Sequence, residues 1–135
     1  MIRNNEIMIG NWFFVGSGTD WEEKLQVDEI FEHSVGFKGR EFTTYLTSLE
    51  PIPITKQMLE RNDFKADELN SLAEIMPRYL YYTNKEKVKA CMNASNKWDI
   101  YTYHSNECIG CFDIKYIHQL QNVLNLCGIE LEIKA

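Results

Sequence analysis

Cys108-Ile109-Gly110-Cys111 is the one stretch of this chain whose spacing invites chemistry. Two thiolates so placed can supply half of a tetrahedral zinc site, or cycle between dithiol and disulfide. The other zinc ligands would have to come from Cys91, Cys127, His104 or His118, and these contain no second close pair. In a regular strand residues i and i+3 point to opposite faces, so the pair converges only if a bulge falls at Gly110. Thioredoxin-like chemistry expects such a pair at a helix start after a parallel strand. Here it precedes a helix and lies in what reads as an antiparallel strand. The cysteines therefore read as small core or surface residues, reduced in a cytosolic setting.

The histidines carry less. His33 falls in or beside a turn and His104 at a strand end, each without a second ligand at recognisable spacing. His118 shares a helical stripe with Lys115, Asn122 and Asn125, at spacings of 3, 4 and 3 residues. Tyr116, Ile117, Leu120, Val123, Leu124 and Cys127 cover the other side, so the stripe is expected to face solvent. Its alternative use is as a binding stripe. Catalysis would need an acid or nucleophile within reach of the imidazole. A deep pocket joining His118 or His104 to a carboxylate would promote an enzyme reading.

The acidic residues Asp20, Glu22, Glu23, Asp28, Glu29 and Glu32 lack the alternating ligands, Gly and terminal Glu of an EF-hand loop, and read as solvated turns and strand faces. Lys85, Lys87 and Lys89 would share one face of a strand, again solvated. No Walker loop, dinucleotide-binding glycine turn, nucleophile elbow or HExxH helix occurs. Neither catalytic, cofactor-binding nor metal-ligating residues are assigned, and no cofactor is expected.

The chain has 135 residues, 44% of them hydrophobic and 25% charged, which suits one compact domain or two small lobes. Its 7 Phe, 7 Tyr and 3 Trp supply a core. The net charge is −6, concentrated in residues 1–64, where 6 Lys and Arg meet 11 Asp and Glu. That balance repels phosphate, so nucleic acid is not the expected partner. The start of the chain lacks the apolar region and cleavage site of a signal peptide, and nothing approaches the length of a membrane span. The expected location is the cytoplasm, without membrane association.

Several elements can be read from pattern. Ile7 to Val15 is β-rich and ends at a Gly16–Asp20 turn. Leu25 and Val27 mark a second strand, whose alternation slips at Asp28-Glu29 and predicts a bulge or bend. Val35 and Phe37 mark a third, Gly39-Arg40 a turn, and Phe42 to Leu46 a fourth. Pro51-Ile52-Pro53 cannot lie mid-sheet and reads as an exit from a small SH3-like barrel or meander. Thr55 is a candidate N-cap for a helix carrying Met58 and Leu59, with Asn62 ending it left-handed. Asp67 to Met76 reads as a second short helix, stopped by Pro77. Tyr79–Tyr82, Val88–Met92, Trp98–His104 and Cys108–Phe112 follow as a meander. From Ile114 to Gly128 apolar residues recur at helical spacing, with Gly128 at the C-cap, and Ile129–Ile133 alternates like a strand. Trp12-Phe13-Phe14, and Tyr79 with Tyr81 and Tyr82, cannot all face one core.

Three segments, Ile9–Trp12, Leu49–Thr55 with Leu59 and Phe64, and Ile114–Gln121 with Leu126–Ile129, resemble a family of small uncharacterised prophage and mobile-element proteins of Bacteroidales. Asp67 to Lys97 and the cysteine pair fall outside the resemblance. It implies an accessory, regulatory or assembly role and transfers no site residue.

The expected protein is α+β: an N-terminal β-rich lobe over 1–54, a helical connector over 55–77, and an α+β lobe over 78–135 closed by a helix and a strand. Its expected function is non-enzymatic binding of an unknown protein partner. A nucleic-acid-associated factor and a small enzyme are the alternatives.

Overall fold

The computed structural model describes residues 2, 4–16, 18–67, 80–83, 87–93, 95–105 and 107–135. It is α+β, with two antiparallel five-stranded sheets. The chain forms two compact units: Met1–Pro53 with Tyr116–Asn122 and Ala135, and Ile54–Lys115 with Val123–Lys134.

In the first unit the strands β1 (Trp12–Val15), β2 (Glu23–Ile30), β3 (Ser34–Phe37), β4 (Thr43–Tyr45) and β5 (Leu49–Pro51) lie in the order β4-β3-β2-β1-β5. The long β2 pairs with β1 through Glu23–Gln26 and with β3 beyond it, and the register shifts between Val27 and Glu29. This is the bulge the broken alternation predicts: an extra residue bends the strand so that it serves two ladders. The first strand is shorter than its apolar run suggests, because a 3-10 turn at Asn4–Glu6 and a positive φ at Gly10 occupy the chain before Trp12. Tyr45 ends the fourth strand early at a 3-10 turn over Leu46–Ser48. A fifth strand then forms where only an exit was expected. Pro51 is tolerated in it because β5 is an edge, bonded to β1 alone. The ladders leave β4 and β5 as edges, so they do not close the sheet into a barrel.

Phe13, Leu25, Val27, Val35, Phe37 and Leu49 from these strands, with Ile2 and Ile7, make one buried cluster. Each such side chain contributes roughly 1.5–3 kcal/mol on burial, which fixes the register of this small sheet. Phe13 takes the inward position of its aromatic run, while Trp12 and Phe14 stay half-buried.

The second unit opens with helix α1 (Lys56–Arg61), whose N-cap is Thr55: its hydroxyl accepts from the Met58 N–H at 3.1 Å. The helix ends differently from expectation. Asn62 has φ −100°, and Asp63 takes the left-handed position instead, at φ 64°. Asn62 is held by tertiary bonds: its side chain accepts from the Lys134 N–H at 2.7 Å and donates to the Lys134 carbonyl at 2.8 Å.

Five strands follow, β6 (Phe64–Asp67), β7 (Leu80–Thr83), β8 (Val88–Met92), β9 (Trp98–His104) and β10 (Glu107–Ile114), in the order β10-β9-β8-β7-β6. β6 lies within the stretch expected to be a helical connector, and Asp67 ends it rather than starting a helix. The remainder of the Asp67–Met76 helix, Tyr79 and Lys85 lie outside the described residues, as do the side chains of Tyr81 and Tyr82. β9 spans the predicted residues and buries Trp98, Ile100 and Thr102 while Asp99, Tyr101 and Tyr103 stay partly exposed. The turn before it is built on Asn93, whose Oδ1 accepts from the Ser95 and Lys97 N–H groups at 3.0 and 3.2 Å.

Helix α2 (Ile117–Leu126) belongs to the first unit through Asn122 and to the second from Val123. At its start the Gln119 side chain accepts from the Tyr116 N–H at 3.0 Å, half of a capping box. At its end Gly128 has φ 67°, its N–H bonds the Asn125 carbonyl at 3.1 Å, and the Ile129 N–H bonds Leu124 at 2.9 Å. That pair is a Schellman cap, as the glycine predicts. The tail alternates in burial, with Ile133 inside and Glu130 and Glu132 outside. It joins no ladder as the predicted final strand would; its described backbone anchor is Asn62.

Candidate functional site

The polar stripe of α2 has the expected spacing and a different environment. Lys115 and Asn125 are exposed, but His118 is 1% exposed and Asn122 half-buried. The cause lies at the other end of the sequence. Asn11 donates from Nδ2 to the Asn122 Oδ1 at 2.9 Å, and its own Oδ1 accepts from the Met8 N–H at 2.7 Å. Asn122 in turn donates to the Glu6 carbonyl at 2.6 Å. Next to it Gln121 accepts from the Trp12 N–H at 3.0 Å and donates to the Gly10 carbonyl at 2.8 Å. The N-terminal segment thus satisfies the polar side of the helix with backbone groups and one buried amide pair. Burying that side is what carries His118 out of water.

His118 lies against the core of the first unit, its ring 4.9 Å from that of Phe13 and 6.0 Å from the nearly parallel ring of Tyr116. Neither ring nitrogen has a hydrogen-bond partner. The nearest carboxylate oxygen, Glu6 Oε2, is 3.9 Å from Nε2, close enough for charge attraction and too long for a hydrogen bond. Burial pushes the imidazole pKa below its usual value, and the Glu6 carboxylate opposes that without overturning it. The ring is therefore neutral near pH 7, with one nitrogen free to accept and the other to donate.

His118 is one of the residues lining a cavity of about 280 Å³. Glu6 reaches it from the 3-10 turn, Thr47 and Glu50 from the β4–β5 turn and β5, Tyr116 from just before α2 and Gln119 from its first turn. Leu49, Pro51 and Ile2 supply apolar lining. A carboxylate-bearing pocket at His118 is the arrangement that would promote a chemical role over a solvated stripe. Its other members, Glu6, Thr47, Glu50 and Tyr116, carry no signal in sequence, because 112 positions separate Glu6 from His118. The one local hint is Asn11, a polar residue set inside an apolar run.

The remaining candidates do not converge. The register of β10 on β9 pairs Cys108 with Tyr103, Gly110 with Thr102 and Cys111 with Tyr101, leaving Ile109 as the bulged residue. The bulge turns both cysteines to the exposed face, one residue from the expected Gly110. There Cys111 neighbours Tyr101, whose pKa is raised by burial first and then by Cys111 and Asp99. Among the described residues no three His, Cys, Asp or Glu side chains gather as a metal site requires. None of the four cysteines is in a disulfide. His33 is exposed, 3.6 Å from Glu32, and His104 is exposed at the end of β9. In the acidic group Glu23 pairs with Arg40 at 2.9 Å, and the Glu22 side chain accepts from the Gly18 N–H at 3.2 Å. Lys89 lies over the Tyr103 ring at 5.0 Å. A second hollow of about 560 Å³, beside Asp28, Glu29, Arg40 and Phe42, is larger but contains no buried unpaired polar atom.

No family model, curated protein or solved structure matches this chain. Among the described residues no helix is long and apolar enough to cross a membrane.

Proposed function

We propose that the protein is a non-enzymatic interaction module, acting in the cytoplasm as an accessory protein of a phage or mobile element. In this reading it binds a protein partner by receiving one partner side chain in the cavity at His118. A single observation carries this: a buried imidazole with both nitrogens unpaired, on a residue that lines a cavity. An unsatisfied buried polar group costs about 1–3 kcal/mol, so a fold that keeps one there is explained by a ligand that completes it. The cavity lies just under the roughly 300–1,000 Å³ of pockets for drug-sized molecules, which suits one side chain.

The strand order, the bent β2 shared by two ladders and the 3-10 turn before β5 support an SH3-like reading of the first unit. Its exposed Trp21 and Tyr45, 84% and 69% accessible, fit an interaction surface. The mobile-element setting rests on the three segments that carried the resemblance. Two of them supply Leu49–Pro51 and Tyr116–Gln119 to the cavity.

The test is selection of a displayed random peptide library on the full chain, with His118→Phe as counter-target. Peptides that bind the parent and not the variant are expected. No enrichment, or equal binding to both, overturns the reading.

A small enzyme is the second reading, favoured by the 3.9 Å approach of His118 to Glu6. It predicts turnover of some ester or amide substrate that His118→Asn abolishes. The net charge of −6 weighs against a nucleic-acid factor.

A further inference from the structure

We propose that the cavity at His118 is a guanidinium site, which takes the arginine side chain of a peptide; the proposal rests on the binding reading above. The charged side chains among its described lining residues are Glu6 and Glu50, both acidic. Two carboxylates and a neutral imidazole reject an anion and attract a cation. A divalent metal is the wrong cation, since no three ligating side chains converge among the described residues.

The choice between ammonium and guanidinium follows from shape and donor count. Ile2, Leu49 and Pro51 make part of the lining apolar, and the lining includes Tyr116, whose ring is only 14° from the plane of the imidazole. A guanidinium is flat, weakly hydrated and stacks on aromatic faces, whereas an ammonium is compact and strongly hydrated. Glu6 Oε2 and His118 Nε2 are 3.9 Å apart, a gap neither atom closes by itself. Both ring nitrogens are closed to solvent in this conformation, so the half-exposed Glu6 side chain must swing aside for one NH2 of a guanidinium, about 2.9 Å from each, to give a hydrogen to both. The other NH2 and the Nε–H remain for Glu50 and the Gln119 side chain. The imidazole must be the acceptor in this arrangement, so its protonation opposes binding. Glu6 and Glu50, the charged groups that line the cavity with it, attract the cation as carboxylates, and Tyr116 faces the imidazole ring.

The experiment is an NMR titration of the ¹⁵N-labelled full chain with N-acetyl-arginine amide. Its lysine and citrulline counterparts and free L-arginine serve as comparisons. The blocked arginine should shift the His118, Glu6 and Tyr116 amides saturably. The lysine form should bind about ten-fold more weakly and citrulline, which is uncharged, not at all. Glu6→Gln and Glu50→Gln should each weaken the arginine form, and lowering the pH from about 7.5 to about 5 should weaken it further. Equal binding of citrulline overturns the guanidinium assignment. So does preference for free L-arginine over the blocked form, which would make the ligand a small molecule. If selected peptides need His118 but contain no common arginine, this inference fails and the binding module stands. If neither peptides nor arginine bind, both fail.

Discussion

At His118 the protein keeps a polar ring where an apolar one would be more stable. With neither nitrogen bonded, its replacement by phenylalanine removes an unsatisfied group and retains the contact with Phe13. We therefore expect His118→Phe to be neutral or stabilising, by up to about 2 kcal/mol in urea denaturation. A loss of more than about 2 kcal/mol would mark the imidazole as structural. The same ring dictates a pH dependence. Its folded pKa lies below the unfolded value of about 6.5, so between the two the unfolded chain binds more protons. The stability it contributes is complete above about 6.5 and declines as pH falls through that value towards the folded pKa. The slope is at most about 1.4 kcal/mol per pH unit for one proton, and His118→Phe should remove that component of the pH–stability curve. Sequence gave the helical spacing of His118 correctly but not its burial. Periodicity reports which residues share a face, and it is silent on whether a distant segment covers that face.

Elements were readable where a local rule governs them. Thr55 and Gly128 each act through backbone groups a few residues away, and each is found as read. The bulge in β2 was visible as a slip in alternation. β5, β6 and the tail were not, because Leu49–Pro51 and Phe64–Asp67 are strands only by virtue of partners elsewhere. Gly110 is the element-scale test. A Cβ there would sit 2.6 Å from the Phe112 ring and 3.1 Å from the hydroxyl of buried Thr102. Gly110→Ala should therefore cost about 1–3 kcal/mol, because the register of β10 must shift or the ring must move. If the ring is the obstacle, Phe112→Ala should recover part of that loss. The double variant would then be more stable than the sum of the single effects allows. Strict additivity would place the strain at Thr102 and the backbone instead.

For the whole chain the decisive fact is that the first unit is not contiguous. Met1–Pro53 groups with Tyr116–Asn122, which arrive only after Ile54–Lys115 of the other unit. Bonds from Gln121 to Trp12 and Gly10, and from Asn122 to Asn11 and Glu6, span 109 to 116 residues, and no local pattern encodes such pairings. They also have an energetic consequence. Without Tyr116–Asn122 the first unit loses buried Ile117 and Leu120 and leaves Asn11 without its Asn122 partner. A sheet of this size has little stability to spare: a domain of about 60 residues is already marginal. Residues 1–53 expressed alone should therefore fail to fold, giving collapsed amide dispersion in ¹⁵N NMR spectra. A peptide covering Ile114–Gly128, added in trans, should restore native-like dispersion only when Gln121 and Asn122 are intact, because those two side chains satisfy the N-terminal backbone. Native dispersion from residues 1–53 without the peptide would show that the sheet is self-sufficient. The helix would then be an attachment to the unit, and the burial of His118 would no longer be a consequence of folding it.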